Sequence, residues 1–274
     1  MRMTGTKGWK KFALMAMIGA GAASAMYGDT IVTTYSAAKT ETPNTSVLCA
    51  NTSKCWVGEQ TFDTKNGALS TLATVGSSTG KISETYSGLT VSAANEYGGA
   101  GGSGSFATVS NGSYTLNLST SGGLSGVNYF GLWFSALDAG NDLKFYEKNA
   151  LGQETLVYEF TPTLFESLVG SCPKSSNAFC GNPNSNYSGD DSGEQYAYLN
   201  FFDTTGYFDE IVFTESTSAG FESDNQTVGY LEPIKASGTV IGATPEPGSF
   251  VLLATGLLAL IGLGMRRQAL IFLK

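Results

Sequence analysis

Between residues 26 and 243 apolar residues recur at every second position over short runs, and no segment sustains the 3.6-residue period of an amphipathic helix. In residues 113–119, SYTLNLS, the alternation puts Tyr114, Leu116 and Leu118 on one face. Residues 128–137, NYFGLWFSAL, are apolar on both faces, as a strand at the centre of a sandwich would be. DLKFYEK (142–148) and ETLVYEF (154–160) flank NALGQ and predict a hairpin. YAYLNFF (196–202) and FDEIVFTE (208–215) flank DTTGY and predict another. Shorter strands are expected in TIVTTYS (30–36), GLTVSAA (88–94) and SFATVS (105–110). Strands at this spacing, separated by Gly-rich turns, predict an all-β fold: an antiparallel β-sandwich of jelly-roll-like form.

Two stretches interrupt the pattern. NEYGGAGGSGS (95–105) is too Gly-rich to bury much and predicts a mobile loop or a string of tight turns. GSCPKSSNAFCGNPNSNYSGDDSGE (170–194) predicts a long loop that depends on a disulfide, and long ordered loops are where ligands are first sought.

The ends follow a different rule. Residues 1–25 carry Arg2, Lys7, Lys10 and Lys11 ahead of an apolar stretch that closes on Ala23-Ser24-Ala25, an A-x-A site for signal peptidase. The alternative, a membrane anchor, asks a short run thinning into Gly and Ala to span about 30 Å of hydrocarbon. Near the other end no charge falls between Gly248 and Met265, and residues from about 250 to 265 suit one helical crossing of a bilayer. Pro245 and Pro247 stiffen the chain before that helix. Arg266 and Arg267 follow it and would hold the C-terminus in the cytoplasm with the body outside. The expected division is a signal peptide (1–25), an extracellular β-sandwich (26–243), a C-terminal segment with a transmembrane helix (244–268) and a short extension (269–274).

Pro245-Glu246-Pro247, one hydrophobic helix and Arg266-Arg267, in this order behind an exported body, resemble the PEP-CTERM sorting signal of Gram-negative bacteria. The resemblance implies recognition by a membrane exosortase, removal of the helix and release to the cell surface or extracellular matrix, typically where exopolysaccharide is made. The extra QALIFLK is a departure, since such tails usually end sooner. The tail is also shared with some proteins labelled ice-binding, so it says nothing about ice. Within residues 85–230, YGGAGGSGSF, NYFGLWFSALDAGNDLKFYE, YAYLNFF and GFESDN followed by Gln226-Thr227-Val228 resemble the body of one group of exosortase-dependent surface proteins. That likeness carries no chemistry.

Cysteine content agrees with export. Cys49 lies near Cys55 and Cys172 near Cys180, and pairing within each neighbourhood would pin a loop that has few apolar residues of its own. Four cysteines permit other connectivities as well. The spacing is not C-x-x-C and the chain has no histidine, which argues against zinc. Apart from the two end segments, the body holds 8 basic and 22 acidic residues, a net charge of −14, and no arginine. Such a surface has no footprint for nucleic acid. Calcium, or simple solubility outside the cell, accounts better for the acidity.

Without histidine, Ser-His-Asp, Cys-His and HExxH chemistries are absent. Any catalysis would fall to carboxylates, and Asp190, Asp191, Glu194, Asp209, Glu210, Glu222 and Asp224 offer pairs that no motif selects. For a calcium ion the hard oxygen donors are Asp138, Asn141 and Asp142 in LDAGND, and Asn182, Asn184, Asp190, Asp191 and Glu194 in the long loop. LDAGND is equally a good turn. Tyr129 and Trp133 share one strand face, and Tyr196 and Tyr198 another; either pair could stack on sugar rings or fill a core. TIVTT is only a fragment of the regular Thr array that ice binding needs.

The expectation is therefore an exported surface or matrix protein, structural or adhesive and not an enzyme, that meets signal peptidase and exosortase during processing. Before cleavage it would sit in the inner membrane through its C-terminal helix. Two alternatives stay open: a carbohydrate-binding module of the exopolysaccharide matrix, and a carboxylate-dependent glycosidase. Solvent-exposed Tyr129 and Trp133 would favour the first, and two convergent carboxylates in a cleft the second.

Overall fold

The computed structural model describes residues 30–50, 52–63, 67–69, 74–77 and 80–243. The expected signal site (Ala23, Ala25) and sorting tail (Pro245, Glu246, Pro247, Arg266, Arg267) lie outside the described residues. The strands are β1 (Ile31–Tyr35), β2 (Lys54–Gln60), β3 (Gly67–Leu69), β4 (Thr74–Ser77), β5 (Gly80–Ser87), β6 (Leu89–Ala93), β7 (Ser105–Val109), β8 (Gly112–Ser121), β9 (Tyr129–Leu137), β10 (Asn141–Lys148), β11 (Glu154–Phe160), β12 (Gln195–Asp203), β13 (Glu210–Glu215), β14 (Phe221–Glu232) and β15 (Thr239–Ala243). Two short helices, α1 (Thr45–Leu48) and α2 (Pro162–Val169), complete the elements used below. Among the described residues no helix is long and apolar enough to cross a membrane.

The strands form two antiparallel sheets, as the alternation predicts. The larger runs β15-β1-β12-β9-β14-β7-β6-β3, with β2 also paired to β14, and the smaller runs β11-β10-β13-β8-β5-β4. Between them lies the core. Phe130, Leu132 and Phe134 of β9 and Leu199 and Phe201 of β12 meet Tyr114 and Leu116 of β8, Phe145 of β10 and Ile211 and Phe213 of β13. Phe145 packs against Phe201 with ring centroids 4.6 Å apart, and Tyr114 stacks on Phe213 at 4.1 Å. Each such ring contributes about 1.5–3 kcal/mol from burial alone.

All nine residues of β9 are buried, because its second face is covered by loops instead of solvent. On that face Gly131 leaves room for two phenol groups: a Cβ there would lie 2.5 Å from the Tyr129 Oη and 2.7 Å from that of Tyr198.

The hairpin expected at DTTGY does not form, because β12 belongs to the larger sheet and β13 to the smaller one. Burial explains the split. Every residue of β12 is buried, so it takes an interior position between β1 and β9, whereas β13 buries only alternate residues and lies between β10 and β8. The Asp203 carboxylate accepts from the amides of Thr205 (3.0 Å) and Gly206 (2.6 Å) and shapes the crossing. The hairpin of β10 and β11 is present.

Strand β14 has no apolar pattern in its first half, yet it occupies the middle of the larger sheet. Its polar side chains are buried and bonded. The Gln226 amide accepts from Tyr86 Oη at 2.7 Å and donates to Tyr114 Oη at 2.8 Å and Ser223 Oγ at 2.9 Å. A bulge between Asp224 and Thr227, with Asn225 at φ 48°, separates the half of its edge that pairs with β7 from the half that pairs with β2.

The segment 95–105 is also different from its expectation. It is docked, and Gly98, Gly99 and Gly102 are buried. Side chains of the long loop hold its carbonyls: Asn182 Nδ2 donates to Glu96 O at 2.8 Å, and Asn186 Nδ2 to Gly102 O at 3.0 Å. Both cysteine pairs are local disulfides, Cys49–Cys55 and Cys172–Cys180, with Cα atoms 5.5 Å and 5.7 Å apart. Cys49–Cys55 ties the end of α1 to β2, whereas Cys172–Cys180 closes the long loop on itself, and a backbone bridge from Cys180 to Gln195 joins that loop to the start of β12.

Candidate functional site

The turns collect at two opposite ends of the sandwich, and each end carries polar groups that the sheets hold in place. One end is acidic. It joins the β9–β10 turn, the β13–β14 turn and the last residues of the long loop. Glu194 has Asp138 and Asp191 as its carboxyl neighbours, and Tyr196 Oη lies 2.7 Å from Asp191 Oδ2 and 2.8 Å from Glu96 O, either of which can accept its one proton. Burial, reinforced by Asp191 and Asp138, pushes the Glu194 carboxyl up to about 9. Burial also raises Asp138, and it lifts Glu222 to about 8 with Asp138 adding to the effect. None of the four ion pairs among the described residues reaches these groups.

This places the expected calcium donors differently from their loops. Asp138 from LDAGND and Asp191 and Glu194 from the long loop come together, while the rest of each set is elsewhere. Asn141 is committed to structure: its Nδ2 donates to Glu215 Oε2 and Gly220 O, both at 2.7 Å, and its Oδ1 accepts from the Asp138 amide at 2.9 Å. Asp142 pairs with Lys144 at 2.6 Å. Asp190 is exposed, and Asn182 and Asn184 bond the Gly-rich loop. Among the described residues no group of three or more His, Cys, Asp or Glu is arranged to hold a metal ion.

The same arrangement bears on hydrolysis. Carboxyls in hydrogen-bond contact share protons, whereas a glycosidase pair stands about 5–10 Å apart with the scissile bond between. Glu194, flanked by Asp138 and Asp191, carries the raised carboxyl of a group that shares protons with its neighbours.

Tyr129 and Trp133 do share a face, on the outer side of the larger sheet, but both are buried, at 0% and 1% exposure. Tyr129 packs with Leu48, Phe202 and Leu231, and Trp133 with Tyr196, Tyr198 and Ala100. Neither offers a surface on which a sugar could stack. Opposite Trp133 in the ladder of β9 and β14, Asp224, raised by burial to about 8, accepts from the amides of Ala100 (2.8 Å) and Asn225 (2.7 Å).

The other end holds an aromatic group that the alternation did not single out. Tyr207, 36% exposed, separates two contiguous clefts of about 310 Å³ and 580 Å³ and lines both. Its ring lies nearly parallel to Tyr230, 19° between planes with centroids 6.4 Å apart, and Tyr230 in turn packs on Trp56 at 5.9 Å. Gly126 makes room for it, since a Cβ there would come within 2.2 Å of Tyr207 Cγ. The backbone around the ring is held at several points. The Tyr207 amide donates to Glu147 Oε1 at 3.0 Å, and Phe208, buried against Phe145, donates to Val127 O at 2.7 Å. Asp209 Oδ2 accepts from the Lys148 amide at 2.7 Å. The sequence signal was present but ambiguous, because a tyrosine closing DTTGY suits a hairpin turn as well as an exposed platform.

A second missed residue is Glu84, which points between the sheets in phase with Ile82 and Tyr86. Burial pushes its carboxyl up to about 8, Tyr86 Oη lies 3.5 Å from Oε1, and Oε2 has no partner. Compared with known proteins, the chain matches no family model and no curated sequence.

Proposed function

We propose that this chain is an exported, surface-sorted β-sandwich of jelly-roll-like form with a structural or adhesive role outside the cell and no catalytic one. The observation that carries the proposal is the pair of local disulfides, one joining α1 to β2 and one closing the long loop before β12. Disulfides form and persist in oxidising compartments, and a covered sandwich stapled in this way suits an extracellular life. Repeated crossing of the chain between the two sheets supports the jelly-roll-like reading.

Processing follows from the end segments. Signal peptidase cuts after Ala25, and an exosortase recognises Pro245-Glu246-Pro247 in the inner membrane, with Arg266 and Arg267 on the cytoplasmic side. The product reaches the cell surface or an exopolysaccharide matrix. Intact-mass measurement on surface-extracted protein tests this. The expected mass begins at Met26, ends near Pro247 and includes two disulfides; Glu246→Ala should leave the chain uncut in the membrane. A native surface product that retains Arg266 and Arg267, or one with free thiols, would overturn the reading.

A further inference from the structure

We infer that the end of the sandwich carrying Tyr207 is a binding site for a neutral hexopyranose unit of a polysaccharide, with the tyrosine ring taking the C–H face of the sugar. The inference rests on the adhesive reading above and names what the adhesive surface holds.

Four features lead to it. First, the space is adequate: the two clefts meet at Tyr207 and Ser125, and their volumes of about 310 Å³ and 580 Å³ lie in the range of small-ligand sites. Second, the ring is preorganised. Tyr230 stands beside it, Gly126 lets it lie against the backbone, and the bonds from Asp203, Glu147 and Val127 fix the chain on both sides. A platform that is already ordered loses little entropy when a ligand settles on it.

Third, the walls are polar where a sugar is polar. Ser119, Thr120, Lys148 and Asp209 line one cleft, and Thr204 and Glu232 line the other. A pyranose presents apolar C–H faces and a rim of hydroxyls, so an aromatic ring with hydroxyl, amide and carboxylate groups around its edge matches both aspects. Fourth, the charge selects. Glu147, Asp209 and Glu232 line the clefts with Lys148; Lys148 is engaged by Glu154 at 3.4 Å and Glu232 by Lys54 at 2.8 Å, which leaves four carboxylates against two ammonium groups at this end. With a body charge of −14 behind them, these carboxylates repel uronate and sulfate polymers. A neutral glycan meets no such barrier.

The test uses the exported, processed protein purified from the cells that make it. Titration with β-1,4-linked glucose, mannose and galactose tetrasaccharides is followed calorimetrically and by amide chemical shifts, with a tetragalacturonate as the anionic comparator. At least one neutral tetrasaccharide should bind in the millimolar range or better and shift amides in residues 118–127 and 203–209. The galacturonate should bind at least about tenfold more weakly. Tyr207→Ala should weaken the neutral ligand about tenfold or more, and Tyr207→Phe should restore it, since the ring and not the hydroxyl makes the contact. The shift map on the unsubstituted protein decides the matter even if Tyr207→Ala does not fold. No binding of any neutral tetrasaccharide, binding that survives Tyr207→Ala, shifts confined to the acidic end, or a preference for the galacturonate would each overturn the inference. Cell fractionation separates this from the broader reading: Tyr207→Ala should still reach the surface, and a chain that never leaves the cytoplasm overturns the adhesive role.

Discussion

Replacing Glu84 with glutamine should stabilise the protein at pH 8 and leave it nearly unchanged at pH 4.5. Glu84 is 1% exposed, lies between the sheets and has an unpartnered Oε2, so its ionised form has lost water without gaining a cation. Burial raises its carboxyl from 4.5 to about 8, close to 3.5 pH units. At ~1.4 kcal/mol per unit this is about 4–5 kcal/mol, a large share of the ~5–15 kcal/mol that holds a typical domain together. The folded state binds the proton more tightly than the unfolded state. Stability is therefore complete below pH 4.5, falls as the unfolded chain ionises, and reaches its floor once the folded carboxyl also ionises above about pH 8. Glutamine has nearly the same shape and no charge to desolvate, so Glu84→Gln should show no such fall. Urea unfolding of both proteins at pH 5, 6.5 and 8 reads the difference directly. It should widen by ~1 kcal/mol or somewhat more per pH unit across that window. Subtracting one protein from the other cancels every other titrating group. A difference of the same size at all three pH values would refute the reasoning, because it would mean that the folded protein hydrates Glu84 or pairs its charge.

Three other substitutions test the cover and the acidic end. Cys172→Ser opens a loop of about nine residues, and the chain-entropy model gives a loss of roughly 2–3 kcal/mol; melting temperature and limited proteolysis should show a less stable protein cut within residues 173–194. Glu194→Gln should raise the melting temperature at pH 8 but hardly at pH 5, since a carboxyl raised to about 9 contributes full stability below its ordinary value and loses it on the way to pH 9. In the same scans calcium and magnesium should act alike, and a calcium-specific rise abolished by Glu194→Gln would show that a cation and not a proton relieves the cluster. Gly131→Ala should destabilise by ~1–3 kcal/mol and perturb tyrosine near-ultraviolet dichroism, because the added methyl would displace the Tyr129 and Tyr198 hydroxyls; an unchanged spectrum and melting temperature would refute the close packing.

Much of the fold was legible before any coordinates. Alternation in SYTLNLS and DLKFYEK reports one buried and one open face, and it needs no knowledge of the partner strand; in ETLVYEF it holds only from Tyr158 to Phe160, and Leu156 is exposed. Continuous apolarity in NYFGLWFSAL reports burial on both sides. Cysteines six and eight residues apart pair locally because a short loop closes at small entropic cost. What the alternation could not decide is which sheet each strand enters. The chain around DTTGY satisfies a hairpin and a crossing equally, and only the burial of β12 on both faces separates them. Strand β14 was hidden for a related reason: ESDNQT looks like surface until Tyr86, Tyr114 and Tyr198, all distant in sequence, supply the hydrogen bonds that make its burial possible. The candidate sites depend on the same long-range placement. Tyr129 and Trp133 were legible as neighbours on a face, but whether loops cover that face is decided by chain segments scores of residues away. Asp138 meets Asp191 and Glu194 for the same reason, and Tyr207 becomes a platform only because Gly126 and Tyr230 arrive beside it. Local periodicity records how each segment divides itself between water and interior; partners, charge environments and clefts arise where distant segments meet, and tertiary packing alone sets those distances.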